Sequence, residues 1–360
     1  VAHAAPSQGD WDYCRGVLPR VSRTFAINIR VLGEPLARAV RIAYLLCRSS
    51  DALEDSWPGT PDEIRERFGA LQAALAGDAA AAARVADGAR ALPGARADLA
   101  LLANLPAVLR CFGALDPQER AAIGDCLAVM SRGMCRYAAR AASAAGSDGV
   151  GASAGLPAGG AAAAAGPPAR AYLETEAELH DYCWVVAGCV GVMLTRLFAR
   201  VARRDRPEDA TARLERAAQM GEALQLTNIL LDWPADVRRG RCYIPAQWLA
   251  EHGLAPRDLV EAPRAGQREI LDRLERLARR ALEVVPEYLG RVPTGETRYR
   301  LFCLWPALWA AASIGRARRE PRFPWGPQRP RISRARLWSL AAGSLLAPGA
   351  FSRAFRPPAT

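Results

Sequence analysis

Two distant stretches of this chain carry the same polar pattern on otherwise apolar helices. Tyr44, Arg48, Asp51 and Asp55 stand at offsets 0, 4, 7 and 11 in YLLCRSSDALED. Gln225, Asn228, Asp232 and Asp236 stand at offsets 0, 3, 7 and 11 in QLTNILLDWPAD. At about 3.6 residues per turn, each set falls on one helix face. Leu, Ile, Ala and Cys fill most intervening positions, so both faces are expected to point inward. Carboxylates on an inward face are costly unless a cation neutralises them. Two such faces opposing each other predict a hard divalent metal held by oxygen ligands, with open positions left for substrate phosphate.

The remaining pattern is helical nearly throughout. Period-2 strand runs are missing, and apolar stripes at i, i+3 and i+4 predict helices at 35–55, 61–77, 97–113, 117–142, 173–203, 207–233, 266–288 and 296–315. Pro19, Pro58, Pro245 and Pro293 fall between these helices, and Pro35, Pro61, Pro117 and Pro207 in their first turns, where a missing N–H costs nothing. Pro106, Pro286 and Pro306 are expected to kink theirs, and Pro234 to disturb the second aspartate stretch. Segment 143–169, rich in Gly, Ala and Ser, reads as a loop inserted in one domain. A single all-α domain over 10–342 follows, with 316–330 an irregular link to a last short helix and 343–360 a tail.

Composition removes several function classes. Nine cysteines form no CxxC pair and three histidines no HxxxH pair. Zinc and disulfide scaffolds are therefore not expected, and scattered thiols suit a reducing cytoplasm. All 48 basic residues are arginine, against 37 acidic ones, for a formal charge of +11. Forked, permanently charged donors suit phosphate. Nucleic acid is not expected, because the arginines are dispersed and no RRM, KH or finger signature is present. No signal peptide is readable after Val1, and no stretch reaches the ~20 apolar residues of a membrane span. The tail 337–351 reads as a docked amphipathic helix. With the basic surface it predicts peripheral association at the inner membrane face.

Each candidate residue has an alternative use. Asp51, Asp55 and Glu54 form either a metal-binding face or a solvated helix end before Trp57-Pro58-Gly59. Arg48 makes either an intrahelical ion pair or a grip on diphosphate. Ser22, Arg23 and Phe25 in SRTF suit phosphate but equally suit a helix N-cap. The stripe Ala187, Gly188 and Gly191 after Tyr182 reads as helix packing. Arg238, Arg239 and Arg241 around Gly240 form a basic loop fit to close over an anion.

Taken in order, VSRTF, YLLCRSSDALED, MSRGM, YCWVVAGCVG and QLTNILLDWPADVRRGRCYIP resemble the squalene and phytoene synthase family of head-to-head prenyl synthases. The resemblance covers roughly residues 10–340. The DxxED form, RLFCLWPALWAAASI and RISR are most similar to its squalene synthase branch. The resemblance implies an all-α isoprenoid-synthase-type fold with a central apolar cavity. It implies magnesium on Asp51, Asp55, Asp232 and Asp236, with Glu54 nearby. Ser22, Arg23, Arg48, Gln225, Asn228 and Arg241 would hold diphosphate. Tyr44, Tyr182 and Phe25 would line the reacting centre. Two farnesyl diphosphates would condense to presqualene diphosphate, and NADPH, near Arg331 and Arg334, would reduce it to squalene. The alternatives are a phytoene, dehydrosqualene or presqualene diphosphate synthase lacking the reductive step. A basic helical binding protein, whose acidic faces merely pair with arginines, is the more distant one. The family often has arginine and glutamate where this chain has Leu231 and Ala235, and Arg238 or Arg239 is the expected substitute charge.

Overall fold

In the computed structural model, which describes residues 3–94, 96–147, 170–203, 205–261, 263–325, 329–346 and 354–355, the first polar pattern lies on the helix Leu36–Asp55. Fourteen of its 20 residues are buried, so neighbours enclose this helix on most sides. Gln8–Val21, Arg23–Val31, Pro61–Leu75, Ala97–Leu102, Leu105–Gly113 and Cys189–Ala199 pack around it. Ile42, Leu45, Leu46 and Leu53 meet no solvent. Ser56 closes the helix, its amide reaching the Ala52 carbonyl at 3.0 Å.

These elements belong to the first of two compact units, each discontinuous in sequence: Val1–Arg140, Val185–Ala218 and Glu287–Trp305. A buried polar chain crosses its interior, from Thr195 Oγ1 to Tyr288 OH at 2.7 Å and on to Tyr299 OH at 2.6 Å. The fully buried Arg213 pairs with Asp205 and donates to the Arg291 carbonyl at 2.6 Å.

The second unit comprises Ala141–Trp184, Gln219–Pro286 and Pro306–Thr360. It carries the aspartates at the end of the helix Pro207–Arg238. Its one strand pair among the described residues is a parallel ladder in which Arg170 matches Arg241 and Ala171 matches Cys242. The pairing continues through backbone bonds from Tyr172 to Cys242, Ala246 to Leu173 and Gln247 to Glu174. Strands were not expected here, and two residues per strand give no readable alternation.

Several boundaries differ from expectation for physical reasons. The helix predicted at 97–113 divides into Ala97–Leu102 and Leu105–Gly113, with Pro106 in the first turn of the second piece. The one predicted at 266–288 divides into Gln267–Leu282 and Val284–Gly290. Pro234 and Pro306, however, lie inside uninterrupted helices. Burial of Trp233 and Val237 around Pro234 offsets the lost hydrogen bond. Pro19 stands inside Gln8–Val21 and not between helices. Arg23–Val31 was foreseen only through the N-cap use of SRTF, and Gln8–Val21 and Ala79–Ala91 were not anticipated. The last is alanine-rich, so its sequence offers little apolar contrast. The helix Pro117–Ser147 runs five residues into the expected insertion, whose part from 148 to 169 lies outside the described residues, as does most of the tail. Contrary to the sequence reading, the helical run Glu176–Ala199 is long and apolar enough to cross a membrane, although half of its most apolar stretch is buried in the protein.

Candidate active site

The first unit gathers Ser22, Phe25, Tyr44, Arg48 and Asp51 through two neighbouring helices. Ser22 caps Arg23–Val31, its Oγ accepting the Phe25 amide at 3.2 Å. The N-cap use of SRTF is therefore realised, and Arg23 is exposed. Phe25 stacks on Tyr44 with ring centroids 5.1 Å apart. Burial raises the Tyr44 hydroxyl above its ordinary pKa and Asp51 adds to the rise, against a Ser22 hydrogen bond and the Arg48 charge.

Arg48 is shared between two carboxylates. Its Nη1 lies 3.4 Å from Asp51 and its Nη2 lies 3.9 Å from Asp98. Asp98, on Ala97–Leu102, was missed in the sequence, where no repeated pattern marks it. Ser56 Oγ, the Arg96 guanidinium at 3.1 Å and the Leu99 amide at 3.1 Å all donate to it. Burial pushes the Asp98 carboxyl up, but these donors and Arg48 outweigh it and hold the group below the usual carboxylate range. Asp51 has no such set. Burial raises its carboxyl to about 7, Asp55 adds to the rise, and Arg48 only partly opposes it. The Arg48 Nε is buried without a hydrogen-bond acceptor. One turn of helix thus presents an under-neutralised carboxylate beside an unsatisfied guanidinium donor. Glu54 is buried and Asp55 exposed.

The second unit brings together Asp232, Asp236, Arg241 and Tyr182. Asp232 Oδ2 accepts from Arg329 Nη1 at 2.8 Å. Burial nevertheless raises the Asp232 carboxyl, with Arg329, Arg239 and Arg331 opposing. Arg239 lies 3.8 Å from Asp236. Arg238, expected to replace the charge absent at Leu231, is turned away: it donates to the Pro234 carbonyl at 3.1 Å and the Trp325 carbonyl at 2.9 Å. Arg329 holds the place, from the stretch read as an irregular link, and Arg239, the other expected substitute, adds its charge. Gln225 is half-buried, but Asn228 is exposed, so that helix face is not wholly inward.

Tyr182 is 5% exposed and forms an aromatic cluster with two tyrosines that were not singled out. It stacks on Tyr243 at 5.0 Å and meets Tyr172 edge-on at 6.1 Å. The ladder explains the grouping, because pairing 170 with 241 and 171 with 242 puts Tyr172 beside Tyr243, at 5.0 Å. Asp236, Arg241 and Tyr243 also line a narrow recess with Ile229, Trp233, Val237 and Ile244. The neighbouring helical run contains a π-bulge at Trp184–Gly188. Ala187 and Gly188 of the expected stripe lie in it, and Gly191 follows in Cys189–Ala199.

The donor set can be tested against a cation. Asp51 and Asp232 are both carboxylates that burial leaves short of positive charge. No cluster of three His, Cys, Asp or Glu suited to a metal occurs among the described residues. An ion at either carboxylate, each within its own unit, would therefore take one or two carboxylates and fill its other positions with water and phosphate oxygens, which is how magnesium is commonly held. The residues fit such an ion.

The squalene/phytoene synthase family signature matches residues 18–336, and the chain belongs to that family. A 15-cis-phytoene synthase of Enterobacter agglomerans is 39% identical over 114 residues, covering 32% of this chain and 34% of the relative. A phytoene synthase of Thermus thermophilus is 38% identical over 134 residues, covering 37% of this chain and 43% of the relative. The matched stretches thus span less than half of either relative. Among solved structures, a TcSQS complex superposes with a TM-score of 0.73 at 22% identity, covering 97% of this chain and 90% of that one. A dehydrosqualene synthase gives 0.63 at 20%, covering 95% and 98%. At those identities the likeness is one of fold, the all-α isoprenoid synthase fold expected from the sequence.

Proposed function

We propose that this chain is a magnesium-dependent prenyltransferase that joins two prenyl diphosphates head to head. The observation that carries the reading is the under-neutralised Asp51 beside Arg48, whose buried Nε lacks an acceptor. Asp51 with Asp55, and Asp232 with Asp236, would hold magnesium, which supplies positive charge to a departing diphosphate. Arg48 Nε donates to a diphosphate oxygen, and Ser22, Arg23, Gln225, Asn228 and Arg241 supply further contacts. Phe25 and Tyr44 present stacked ring faces that stabilise an allylic cation without reacting with it. The second chain's double bond attacks that cation, and loss of one proton closes a cyclopropane. Tyr182 takes or relays this proton, and Tyr172 and Tyr243, packed on its ring, help keep out water, which would otherwise trap the cation as an alcohol.

Two products remain to be separated. The carboxyl-terminal likeness read in the sequence supports squalene, which needs hydride from NADPH, with Arg331 and Arg334 as its phosphate contacts. The phytoene synthase name of the relatives supports a product that needs no reductant. Purified chain is incubated with magnesium and labelled farnesyl or geranylgeranyl diphosphate, with and without NADPH, and the products are chromatographed. Squalene formed only with NADPH establishes the first, and phytoene or dehydrosqualene irrespective of NADPH the second. Absence of any head-to-head product from either substrate refutes the proposal.

A further inference from the structure

The first aspartate helix is gripped from a neighbouring helix by one buried carboxylate, Asp98, on Ala97–Leu102. Asp98 meets Leu36–Asp55 on both sides of Asp51 and Asp55. Arg48 Nη2 stands 3.9 Å from its Oδ2, and Ser56 Oγ donates to the same oxygen. Arg96 Nη2 donates to Oδ2 at 3.1 Å and to the Ser56 hydroxyl at 2.8 Å, while the Leu99 amide donates to Oδ1 at 3.1 Å. A buried carboxylate needs a countercharge and donors. Arg96, Ser56 and the Leu99 amide supply both, so burial of Asp98 does not require Arg48.

Arg48, by contrast, depends on Asp98. Its Nη1 lies 3.4 Å from Asp51, its Nη2 faces Asp98, and its Nε is buried without an acceptor. Asp51 is a partner three residues along the same helix, and a carboxylate whose oxygens turn to a metal gives up its guanidinium. Asp98 stands on another helix and outside both aspartate patterns, so it keeps its place. We propose that Asp98 is the positioning residue for Arg48, holding Nη2 when Asp51 is withdrawn and leaving Nε and Nη1 for the oxygens of a prenyl diphosphate. An arginine without that second anchor would have to be ordered by the substrate itself. Its grip would then be weakest as charge grows on the departing diphosphate. The inference rests on the prenyltransferase reading and adds a residue to it.

Product formation and calorimetric binding of inorganic pyrophosphate, both with magnesium, are measured for wild type, Asp98→Asn, Asp98→Glu, Ser56→Ala and Arg48→Ala, and for Asp98→Asn combined with Arg48→Ala. Asp98→Asn keeps an oxygen for Ser56 and the Leu99 amide and removes only the charge, so its melting temperature should stay close to wild type. It is expected to lower kcat by about 10–30-fold with KM changed less than about threefold, and to weaken pyrophosphate binding about tenfold. Asp98→Glu, which restores the charge, should recover all but about threefold of either loss. In the Arg48→Ala background, Asp98→Asn should weaken pyrophosphate binding by less than about twofold further, because its effect passes through the arginine. Ser56→Ala loosens the helix junction but leaves Asp98 facing Arg48, and should cost less than about twofold. Wild-type kinetics in Asp98→Asn overturn the inference. So does a full loss from Asp98→Asn in the Arg48→Ala background, or an equal loss in Ser56→Ala, since Asp98 would then only close the helix junction. The prenyltransferase reading survives each of those results. A wild-type chain that neither binds pyrophosphate nor makes product refutes that reading, and this inference with it.

Discussion

The ion pair between Arg329 and Asp232 makes a quantitative prediction about metal binding without substrate. The pair is 2.8 Å long between side chains that are 34% and 30% exposed. With charge centres about 4 Å apart, the gross attraction is ~4 kcal/mol at an effective dielectric of about 20. Screening and side-chain ordering reduce the net value of a pair this open to ~1 kcal/mol. A divalent ion that binds Asp232 must displace the guanidinium and lose that amount. Arg329→Gln should therefore strengthen metal-alone binding by about fivefold, since ~1.4 kcal/mol is a factor of ten. Manganese titration followed by electron paramagnetic resonance reads this directly, with no turnover required. Asp232→Asn in the same background should remove the gain. Equal or weaker manganese binding in Arg329→Gln would show that the arginine does not compete for the carboxylate, and the placement of metal on Asp232 would lose its support.

Asp51→Asn and Asp232→Asn are each expected to abolish product formation while thermal unfolding stays close to wild type; normal rates in both would remove the metal-and-diphosphate argument. Gly133→Ala should destabilise by about 1–3 kcal/mol, typical of overpacking, because an added Cβ would come within 3.0 Å of three Val185 side-chain atoms. An unchanged denaturant midpoint would refute that contact. The Glu222 hydrogen bond raises the His180 pKa above its ordinary 6.5. The contribution of this pair to stability is thus full below about pH 6.5 and is lost as pH rises through the raised folded value. Melting from pH 6 to 9 should show a larger fall in wild type than in Glu222→Gln, and equal falls would assign the pH dependence elsewhere.

Residues repeated at helical spacing were legible because one helix face is a local property. Tyr44, Arg48, Asp51 and Asp55 needed only the period of Leu36–Asp55 to be placed together. Asp98 and Arg329 could not be found that way. Asp98 meets Arg48 only because Ala97–Leu102 packs against the first aspartate helix, and Arg329 lies 97 residues from its partner Asp232. Tyr172 and Tyr243 are joined by a two-residue ladder whose strands are 71 positions apart, too short to announce itself by alternation. The missing charge at Leu231 shows the same limit. The nearest substitutes in sequence were Arg238 and Arg239, yet the Arg238 guanidinium is occupied by two carbonyls. Arg239 does add positive charge at Asp232, but the direct partner, Arg329, comes from a segment remote in sequence. What a carboxylate of this kind requires is a cation at about 3 Å, and local spacing specifies the carboxylate without specifying which part of the chain will answer it.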